Sequence, residues 1–219
     1  MSDTRDFIAK RVADFFEYGN LGNLGIGLPT LVANYLPAEK DVMLHSENGF
    51  IGIGPNPEPG LEDKDIVNAG GMPVTYVPGA ASFDSSFSFA LARGGHVDIT
   101  VLGALEVDEK GDLANWFVPG KLVPGMGGAM DLVVGAKKVI IAMEHTQRDG
   151  SPKILKKCAL PLTAVNVVNF IVTELGVMEV TSEGIVLREL APGVTVDDIQ
   201  SRTEATLIIP DLIGVMNGE

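Results

Sequence analysis

The segment HSENGFIGIG (residues 45–54) contains a glutamate at a position where a carboxylate could react. Glu47 ends an apolar run and is followed at once by Asn48 and Gly49. A carboxylate at the end of a strand can act as a general base, a metal ligand or a nucleophile, or it can be an ordinary solvated turn residue. No Arg or Lys lies beside Glu47 in the sequence to neutralise it. We therefore interpret Glu47 as a candidate reactive group that Ser46 and Asn48 could orient.

Two glycine-rich segments could supply backbone N–H groups to an anion near that carboxylate. GNLGIGLPT (22–30) and VPGMGGAMD (123–131) each place glycines shortly before a predicted helix. Backbone N–H groups at such turns can bind anionic ligands. Neither segment contains the GK[ST] of a P-loop or a clean GxGxxG fingerprint after a strand. Each segment is therefore interpreted either as an anion-binding turn or as a tight connection between a strand and a helix.

Two histidine–acid pairs raise the alternative of a metal-dependent hydrolase. His45 with Glu47, and His96 with Asp98, are i, i+2 pairs that would lie on one face of a strand. The third histidine, His145, has no matching spacing. Histidines at strand ends commonly bind protein groups instead, so we expect no metal site. A serine hydrolase is not favoured either, because no GxSxG elbow occurs in the sequence.

The order of predicted elements is typical of an α/β protein, in which strands and helices alternate. The predicted helices cover residues 4–18, 29–35, 85–93 and 163–175, with a short one after the glycines at 125–128 and another that starts at Thr195 with Asp198. The predicted strands begin near residue 22 and include 40–47, 66–71, 73–79 and 96–108, then a reversal at Gly111, a buried strand before His145 and a hairpin at 179–190. We expect a single domain, residues 1–219, with a largely parallel sheet covered by helices on both faces.

Composition excludes several classes of protein. The 219 residues, 46% of them hydrophobic, are enough for one substantial core. A net charge of −13 with scattered Lys and Arg argues against a nucleic-acid-binding protein. No apolar stretch approaches the roughly 20 residues that span a membrane, and no signal-peptide core is seen, so we expect a cytoplasmic protein. The single cysteine, Cys158, excludes an internal disulfide framework.

A set of short motifs distributed along the chain carries a resemblance to a known family. SENG (46–49) is followed by GIGP (52–55), with NLGIGLPT (23–30) upstream and RGGHVD, GDLANW, PGK and GMGGAMDL downstream. This combination resembles the β subunit of family I CoA-transferases of the 3-oxoacid (acetoacetate) type, from about residue 5 to about residue 212. The resemblance implies the NagB/RpiA/CoA-transferase fold, which agrees with the α/β fold that the pattern of elements predicts.

The resemblance implies a role for each of the three segments. In the family the glutamate of SENG is the nucleophile, which assigns that role to Glu47. The resemblance places the backbone N–H donors of an oxyanion hole at Ile26 and Gly128. It places contacts with CoA or substrate at four further positions: Gly25, Gly27, Asn48 and Gly127. Neither a metal nor a cofactor is implied, because CoA itself is a substrate.

The resemblance also implies a partner chain, because a complete enzyme of this family has a second, structurally related half. We expect an α subunit in an α2β2 assembly. The expected substrates are an acyl-CoA and short carboxylic acids of the acetoacetate, acetate or butyrate type. The alternative to an enzyme is a ligand-sensing module on the same fold, which would bind CoA or phosphate without moving CoA between acids.

Overall fold

The computed structural model of the chain describes residues 2–120 and 125–216. Its helices are α1 (Ser2–Ala13), α2 (Ser85–Arg93), α3 (Ala129–Gly135) and α4 (Val196–Ser201), with 3₁₀ helices at Leu28–Tyr35 and Ala38–Lys40. Its strands are β1 (Leu21–Leu24), β2 (Met43–Ser46), β3 (Phe50–Ile53), β4 (Tyr76–Ser82), β5 (Ile99–Leu102), β6 (Glu106–Asp108), β7 (Leu113–Ala114), β8 (Lys138–Ala142), β9 (Ile154–Leu155), β10 (Phe170–Val172), β11 (Gly176–Thr181), β12 (Gly184–Leu190), β13 (Leu207–Ile208) and β14 (Gly214–Val215). None of the helices that the structure describes has the length and apolar character needed to span a lipid bilayer.

The large sheet has a parallel centre. Within the described residues its order is β13-β12-β11-β10-β8-β5-β1-β2-β3-β4, with β14 beside β12, while β7, β6 and β9 form a separate small sheet. The block from β10 to β2 is parallel throughout, and β11 and β3 pair antiparallel with its two outer strands. Every residue of β5 is buried, as expected for a central strand with both faces covered. The predicted α/β fold with a largely parallel sheet is confirmed.

Helices cover both faces of this sheet. On one face, α1 and the residues after it pack with the 3₁₀ helix Leu28–Tyr35, and Ile8, Val12 and Phe16 are fully buried there. On the other face, α3 packs against the opposite sides of β5 and β8, next to α2. Phe16 fills the space beside Gly22 of β1, where a Cβ atom would lie 2.4 Å from the ring. A glycine at position 22 therefore lets this face of the sheet approach Phe16 closely.

The helix predicted for residues 163–175 is wrong. This segment contains β10, which pairs with β8 and β11 in the large sheet. It is rich in β-branched residues, which favour strands: Val165, Val167, Val168, Ile171 and Val172. Asn166 has a φ of 53°, a left-handed conformation that a right-handed helix does not contain. The apolar run therefore becomes part of the sheet.

Three further boundaries differ from the sequence prediction. The helix predicted for 4–18 ends as an α-helix at Ala13. The strand predicted for 96–108 is divided into β5 and β6, with Gly103 between them. The strand predicted for 66–71 is reduced to an isolated bridge between Val67 and Pro73. In the last two cases, pairing is interrupted where glycines lie within the apolar run.

His145 is a fully buried histidine whose titration links stability to pH. Its Nδ1 lies 2.9 Å from Thr173 Oγ1, and its Nε2 lies 2.9 Å from Thr203 Oγ1. Burial lowers the pKa of His145 to about 4, and the charges of Arg202 and Lys153 act in the same direction. The unfolded chain takes up the proton first, because its histidine keeps the ordinary pKa of 6.5. Stability from the neutral ring is therefore present above pH 6.5 and is lost as the pH falls towards 4.

We expect the free energy of unfolding to fall by about 3 kcal/mol between about pH 6.5 and about pH 4 on account of His145. Urea unfolding at a series of pH values measures this fall. His145→Gln should remove most of this contribution, because glutamine does not titrate. The same pH dependence in His145→Gln and the parent chain would contradict the assignment.

Candidate active site

Glu47 lies in the tight turn that joins β2 to β3. β2 ends at Ser46, the turn occupies positions 47–49, and β3 begins at Phe50. Gly49 closes the turn with a φ of 135°, and its N–H donates to the Ser46 carbonyl oxygen over 3.0 Å. A Cβ atom at Gly49 would lie 2.3 Å from the carbonyl oxygen of Phe83. The turn thus fixes Glu47 at the carboxyl end of β2, the edge at which open α/β sheets place their ligands.

The Glu47 carboxylate is held by one amide side chain. Asn23 of β1 donates a hydrogen bond from Nδ2 to Glu47 Oε2 over 3.0 Å. Asn23 is 1% exposed, whereas Glu47 is half-buried. Among residues 2–120 and 125–216, no Lys or Arg forms an ion pair with Glu47, and none of these residues donates a hydrogen bond to its Oε1. Within the described ranges, one carboxylate oxygen is therefore oriented, and the other has no hydrogen-bond donor.

Gly128 lies against Glu47 immediately before α3. A Cβ atom at Gly128 would lie 3.4 Å from Glu47 Cγ and 2.7 Å from Phe89 Cε1 of α2. A larger residue there would therefore displace the Phe89 ring and come into contact with Glu47. Gly127 beside it has a φ of 54° and open space on its Cβ side. None of the described residues accepts a hydrogen bond from the backbone N–H of Gly128, which lies beside Glu47.

The first glycine turn, Gly25 to Gly27, follows β1. The Gly25 N–H donates to the Val101 carbonyl oxygen over 2.8 Å, so that amide belongs to the sheet. Ile26 is 76% exposed, and no residue within the described ranges accepts a hydrogen bond from its N–H. Gly27 has a φ of 94° and precedes the 3₁₀ helix Leu28–Tyr35. Among the described residues, the Ile26 amide at the carboxyl end of β1 therefore has no acceptor, whereas the Gly25 amide is bound in the sheet.

Two side chains beside Glu47 hold the neighbouring segment, residues 54–74. Asn48 donates from Nδ2 to the Val67 carbonyl oxygen over 2.7 Å, and Ser46 Oγ accepts a hydrogen bond from the Ala69 N–H over 2.9 Å. The prediction that Ser46 and Asn48 orient Glu47 is wrong, because Asn23 holds the carboxylate. Asn48 is exposed, and its contact with CoA stays a prediction.

The two histidine–acid pairs lie at opposite ends of the sheet. His45 and Glu47 are at the carboxyl end of β2, and both ring nitrogens of His45 have protein partners. Asp98 precedes β5, where it accepts from the Leu21 N–H over 2.8 Å and from Lys137 Nζ over 2.7 Å. In the part of the chain that the structure describes, no three His, Cys, Asp or Glu side chains are grouped to hold a metal ion. These pairs therefore do not combine into one metal site.

Two concave surfaces meet at Ile26. The first, which we call the groove, is open, has a volume of about 690 Å³ and lies at the carboxyl ends of β1, β5 and β8. Its charged lining residues are Arg5, Glu144, Arg148 and Lys153. The second, which we call the cavity, is smaller, with a volume of about 250 Å³. It lies between the 3₁₀ helix Leu28–Tyr35 and segment 54–74 and has a largely aliphatic lining. The groove thus carries more positive than negative side chains, although the whole chain has a net charge of −13.

Asn23, the residue that orients Glu47, is absent from the residues predicted for the site. A signal was present, because Asn23 is a polar residue within the apolar strand LGNL, and a buried amide in a central strand needs a partner. Its partner strand was not evident from the sequence. The parallel register places Asn23 beside His45, two residues before Glu47. Ser88, which contacts His45, gives no comparable signal within its helix.

The fold and the site define an α/β protein with a half-buried carboxylate at a strand end, and comparisons with known proteins identify its family. The Coenzyme A transferase family model matches residues 5–202. The beta chain of the acetate CoA-transferase of Escherichia coli strain K12 is 52% identical over 217 residues, which is 99% of each chain. The B chain of the succinyl-CoA:3-ketoacid coenzyme A transferase of Helicobacter pylori strain 26695 is 50% identical over 92% of this chain and 97% of its own. The chain therefore belongs to the coenzyme A transferase family, and it is part of an enzyme of the CoA-transferase class.

A solved structure agrees with this assignment. The acyl-CoA transferase of Escherichia coli O157:H7, crystallised as a thioester complex with CoA, has a TM-score of 0.77 and 25% sequence identity to this chain. The match covers 98% of this chain but 43% of the solved one. The chain thus spans less than half the length of that relative.

Proposed function

We propose that this chain is the β subunit of a CoA-transferase that forms a covalent glutamyl-CoA thioester on Glu47 while moving CoA between an acyl-CoA and a short carboxylic acid. The observation that carries the proposal is the placement of the Glu47 carboxylate. It lies at a strand end beside Gly128, with Oε2 held by Asn23 and Oε1 without a donor among the described residues. The thioester complex of the solved acyl-CoA transferase supports the same type of intermediate here.

The proposed reaction keeps the energy of the thioester bond throughout. A Glu47 oxygen attacks the carbonyl carbon of the acyl-CoA, the C–S bond breaks, and CoA leaves as a thiolate from an acyl-glutamyl anhydride. The thiolate then attacks the glutamyl carbonyl carbon, which releases the first acid as a carboxylate and leaves glutamyl-CoA. A second acid repeats these steps in reverse and departs as its CoA thioester. Water has to be excluded, because it would hydrolyse the anhydride.

Two backbone N–H groups are the proposed donors to the oxyanions that form during each attack. They belong to Ile26 and Gly128, and no described residue accepts a hydrogen bond from either. A preorganised donor of this kind contributes about 3 kcal/mol to the stability of a tetrahedral intermediate. Gly25 can offer close backbone approach but not its amide, which is bound in the sheet. The remaining proposed contacts with CoA or substrate are Gly27, Asn48 and Gly127.

The groove is the proposed site for the phosphates of CoA. Its cations are suited to charge-assisted hydrogen bonds with phosphate oxygens. Burial lowers the pKa of Lys153, while the charges of Glu144 and Glu174 act against this shift. The groove begins at Ile26, so a nucleotide bound there would direct the thioester end of the molecule towards the first glycine turn.

Arg148→Glu should raise the KM for acyl-CoA about tenfold and leave kcat within about twofold, because a contact with the nucleotide is equally strong before and during the reaction. The matched control is Lys110→Glu, which reverses the charge of an exposed lysine outside the groove. Steady-state kinetics of the complete enzyme measure both variants. An equal rise in KM for the two would assign the effect to net charge instead of the groove.

A complementary chain is part of the proposed enzyme. This chain spans 43% of the solved acyl-CoA transferase, and its bacterial relatives are named as the beta or B chains of their enzymes. We therefore propose that an α subunit supplies the missing half, in an α2β2 assembly. The proposed acids are acetate, acetoacetate and butyrate. The names of the relatives support acetate and 3-ketoacids.

Chemical trapping tests the covalent route. The chain is purified with its α subunit, incubated with acetoacetyl-CoA or acetyl-CoA, and treated with borohydride or hydroxylamine, both of which attack a glutamyl thioester. Peptide mass spectrometry should find the modification at Glu47 and only after acyl-CoA has been added. An enzyme that exchanges label between acids without modification at Glu47 would reject this route. CoA binding without any exchange would favour a ligand-sensing module.

A further inference from the structure

Three buried polar side chains form a continuous hydrogen-bonded chain behind Glu47. Asn23 Nδ2 lies 3.0 Å from Glu47 Oε2 and 3.3 Å from both His45 Nδ1 and the His45 carbonyl oxygen. His45 Nε2 lies 2.8 Å from Ser88 Oγ, which α2 carries. Asn23, His45 and Ser88 are 1%, 2% and 0% exposed. The Ser88 hydroxyl on α2 is thus connected to the Glu47 carboxylate through the His45 ring and the Asn23 amide.

The geometry assigns a direction to these hydrogen bonds. Because Asn23 presents its NH₂ group to both neighbours, His45 Nδ1 has to accept and carries no proton. The proton of the neutral ring is therefore on Nε2, from which it is donated to Ser88 Oγ. Ser88 in turn donates to the Ser46 carbonyl oxygen over 3.4 Å. Burial lowers the pKa of His45, against an opposing effect of the Glu47 charge, so the ring is neutral near pH 7, as this arrangement requires.

The opposite orientation of the Asn23 amide is unfavourable. If the amide turned over, its Oδ1 would face a carboxylate oxygen and the unprotonated Nδ1 of His45, and none of these three atoms can donate a hydrogen bond. In the observed orientation, Oδ1 is buried without a hydrogen-bond partner among the described residues. An unpaired buried carbonyl lowers stability, and such departures from good pairing are concentrated at functional sites.

We propose that His45 and Ser88 are positioning residues for CoA transfer, which lock the Asn23 amide so that its N–H holds Glu47 at the angle needed to attack a thioester carbon. The proposal rests on the proposed function of Glu47. Neither residue touches the substrate, and both act through Asn23. The same helix carries Phe89, whose ring lies against Gly128 next to Glu47. Helix α2 therefore supports the carboxylate through both Ser88 and Phe89.

Ser88→Ala tests the proposal in steady-state kinetics of the complete enzyme. Without the hydroxyl, the His45 proton is no longer held on Nε2, and its move to Nδ1 would set a ring N–H against the Asn23 NH₂ group. The Asn23 amide would then shift away from the angle at which it holds Glu47. We expect kcat to fall about tenfold, with the KM for acyl-CoA within about twofold, because Glu47 is misplaced while the CoA contacts are kept.

Thr203→Val is the matched control. It removes a buried hydroxyl that lies 2.9 Å from Nε2 of the other buried histidine, His145. Neither His145 nor Thr203 has a described hydrogen bond to Asn23, His45 or Ser88. This variant should lose stability and keep its kcat. An unchanged kcat in Ser88→Ala overturns the proposal, and so does a fall in Thr203→Val as large as that in Ser88→Ala.

Two substitutions of His45 give an independent test should Ser88→Ala fail to fold. Asparagine keeps an acceptor near the position of Nδ1, and leucine keeps none. We expect kcat to be about tenfold higher in His45→Asn than in His45→Leu, and equal values overturn the proposal. Glu47→Gln separates the two levels of inference. Full activity in Glu47→Gln would refute the proposed function itself. If Glu47→Gln is inactive and His45→Leu is fully active, only the positioning role is refuted.

Discussion

Glu47→Gln should lower kcat for CoA transfer by at least about 10⁴-fold, because an amide oxygen does not displace a CoA thiolate. The substitution keeps the size of the side chain, and Glu47 makes one hydrogen bond to a described residue, from Asn23. The free energy of unfolding should therefore change by less than about 1 kcal/mol. Kinetics of the complete enzyme and urea unfolding of the same preparation measure the two quantities.

Two companion variants separate chemistry from charge. Glu47→Asp keeps the carboxylate but shortens its reach by one methylene group, so kcat should fall about 10²-fold. Glu58→Gln removes a carboxylate from an exposed position in segment 54–74 and should leave kcat unchanged. A Glu47→Gln enzyme as active as Glu58→Gln would place the nucleophile on another residue.

Gly49→Ala should lower the free energy of unfolding by about 3 kcal/mol and remove most of the activity. The φ of 135° is unfavourable for any residue with a Cβ atom. That atom would also lie 2.3 Å from the Phe83 carbonyl oxygen. This oxygen is a backbone atom, so a change of side-chain rotamer cannot relieve the overlap. Phe83 is tied to the same place, because its N–H donates to the Gly49 carbonyl oxygen over 2.8 Å. Relief of the overlap therefore has to move the turn that carries Glu47.

Gly60→Ala is the matched control for backbone strain. Gly60 also has a positive φ, 88°, but a Cβ atom there would meet nothing within 4 Å. We expect a loss of about 1 kcal/mol and an unchanged kcat. Urea unfolding and kinetics of the two variants are compared directly. Equal losses in stability would mean that strain alone, without the overlap at Phe83, accounts for Gly49→Ala.

The elements that the sequence predicted best are those with strong local signals. α2 begins and ends where predicted, at Ser85 and Arg93, because Asp84 accepts a hydrogen bond from the Phe87 N–H and Gly94 follows the helix. The predicted hairpin is present as β11 and β12, and its turn lies at Ser182 and Glu183, one residue before the predicted Glu183 and Gly184. The last helix, α4, follows Thr195, which forms a capping box with Asp198.

The elements that were mispredicted depend on contacts between distant parts of the chain. Residues 163–175 have an apolar pattern that does not distinguish a buried helix from a buried strand. Pairing of β10 between β8 and β11 decides the outcome, and no local signal reports that pairing. The 3₁₀ geometry of Leu28–Tyr35 is likewise not readable from the sequence, although Pro29 marked the start of a helical segment.

The candidate site was predicted in part. Glu47 stood out because of its position after an apolar run, and the GGAMD motif pointed to Gly128, which the structure places beside it. The amide of Asn23 was missed, because its role depends on the parallel register between β1 and β2. The sequence contains each residue of the site, but the pairing of strands brings them together.

The way segment 54–74 is attached has a consequence for how enzymes of this kind diversify. Asn48 and Ser46 hold the segment through its backbone, at the Val67 carbonyl oxygen and the Ala69 N–H. Because both bonds reach backbone atoms, they do not depend on which side chain, apart from proline, is present at positions 67 and 69. Glu47 is fixed separately, by the β2–β3 turn. The segment also forms much of the wall of the cavity. Descendants of one ancestral sequence can therefore reshape that wall by point substitution and inherit the reactive group unaltered.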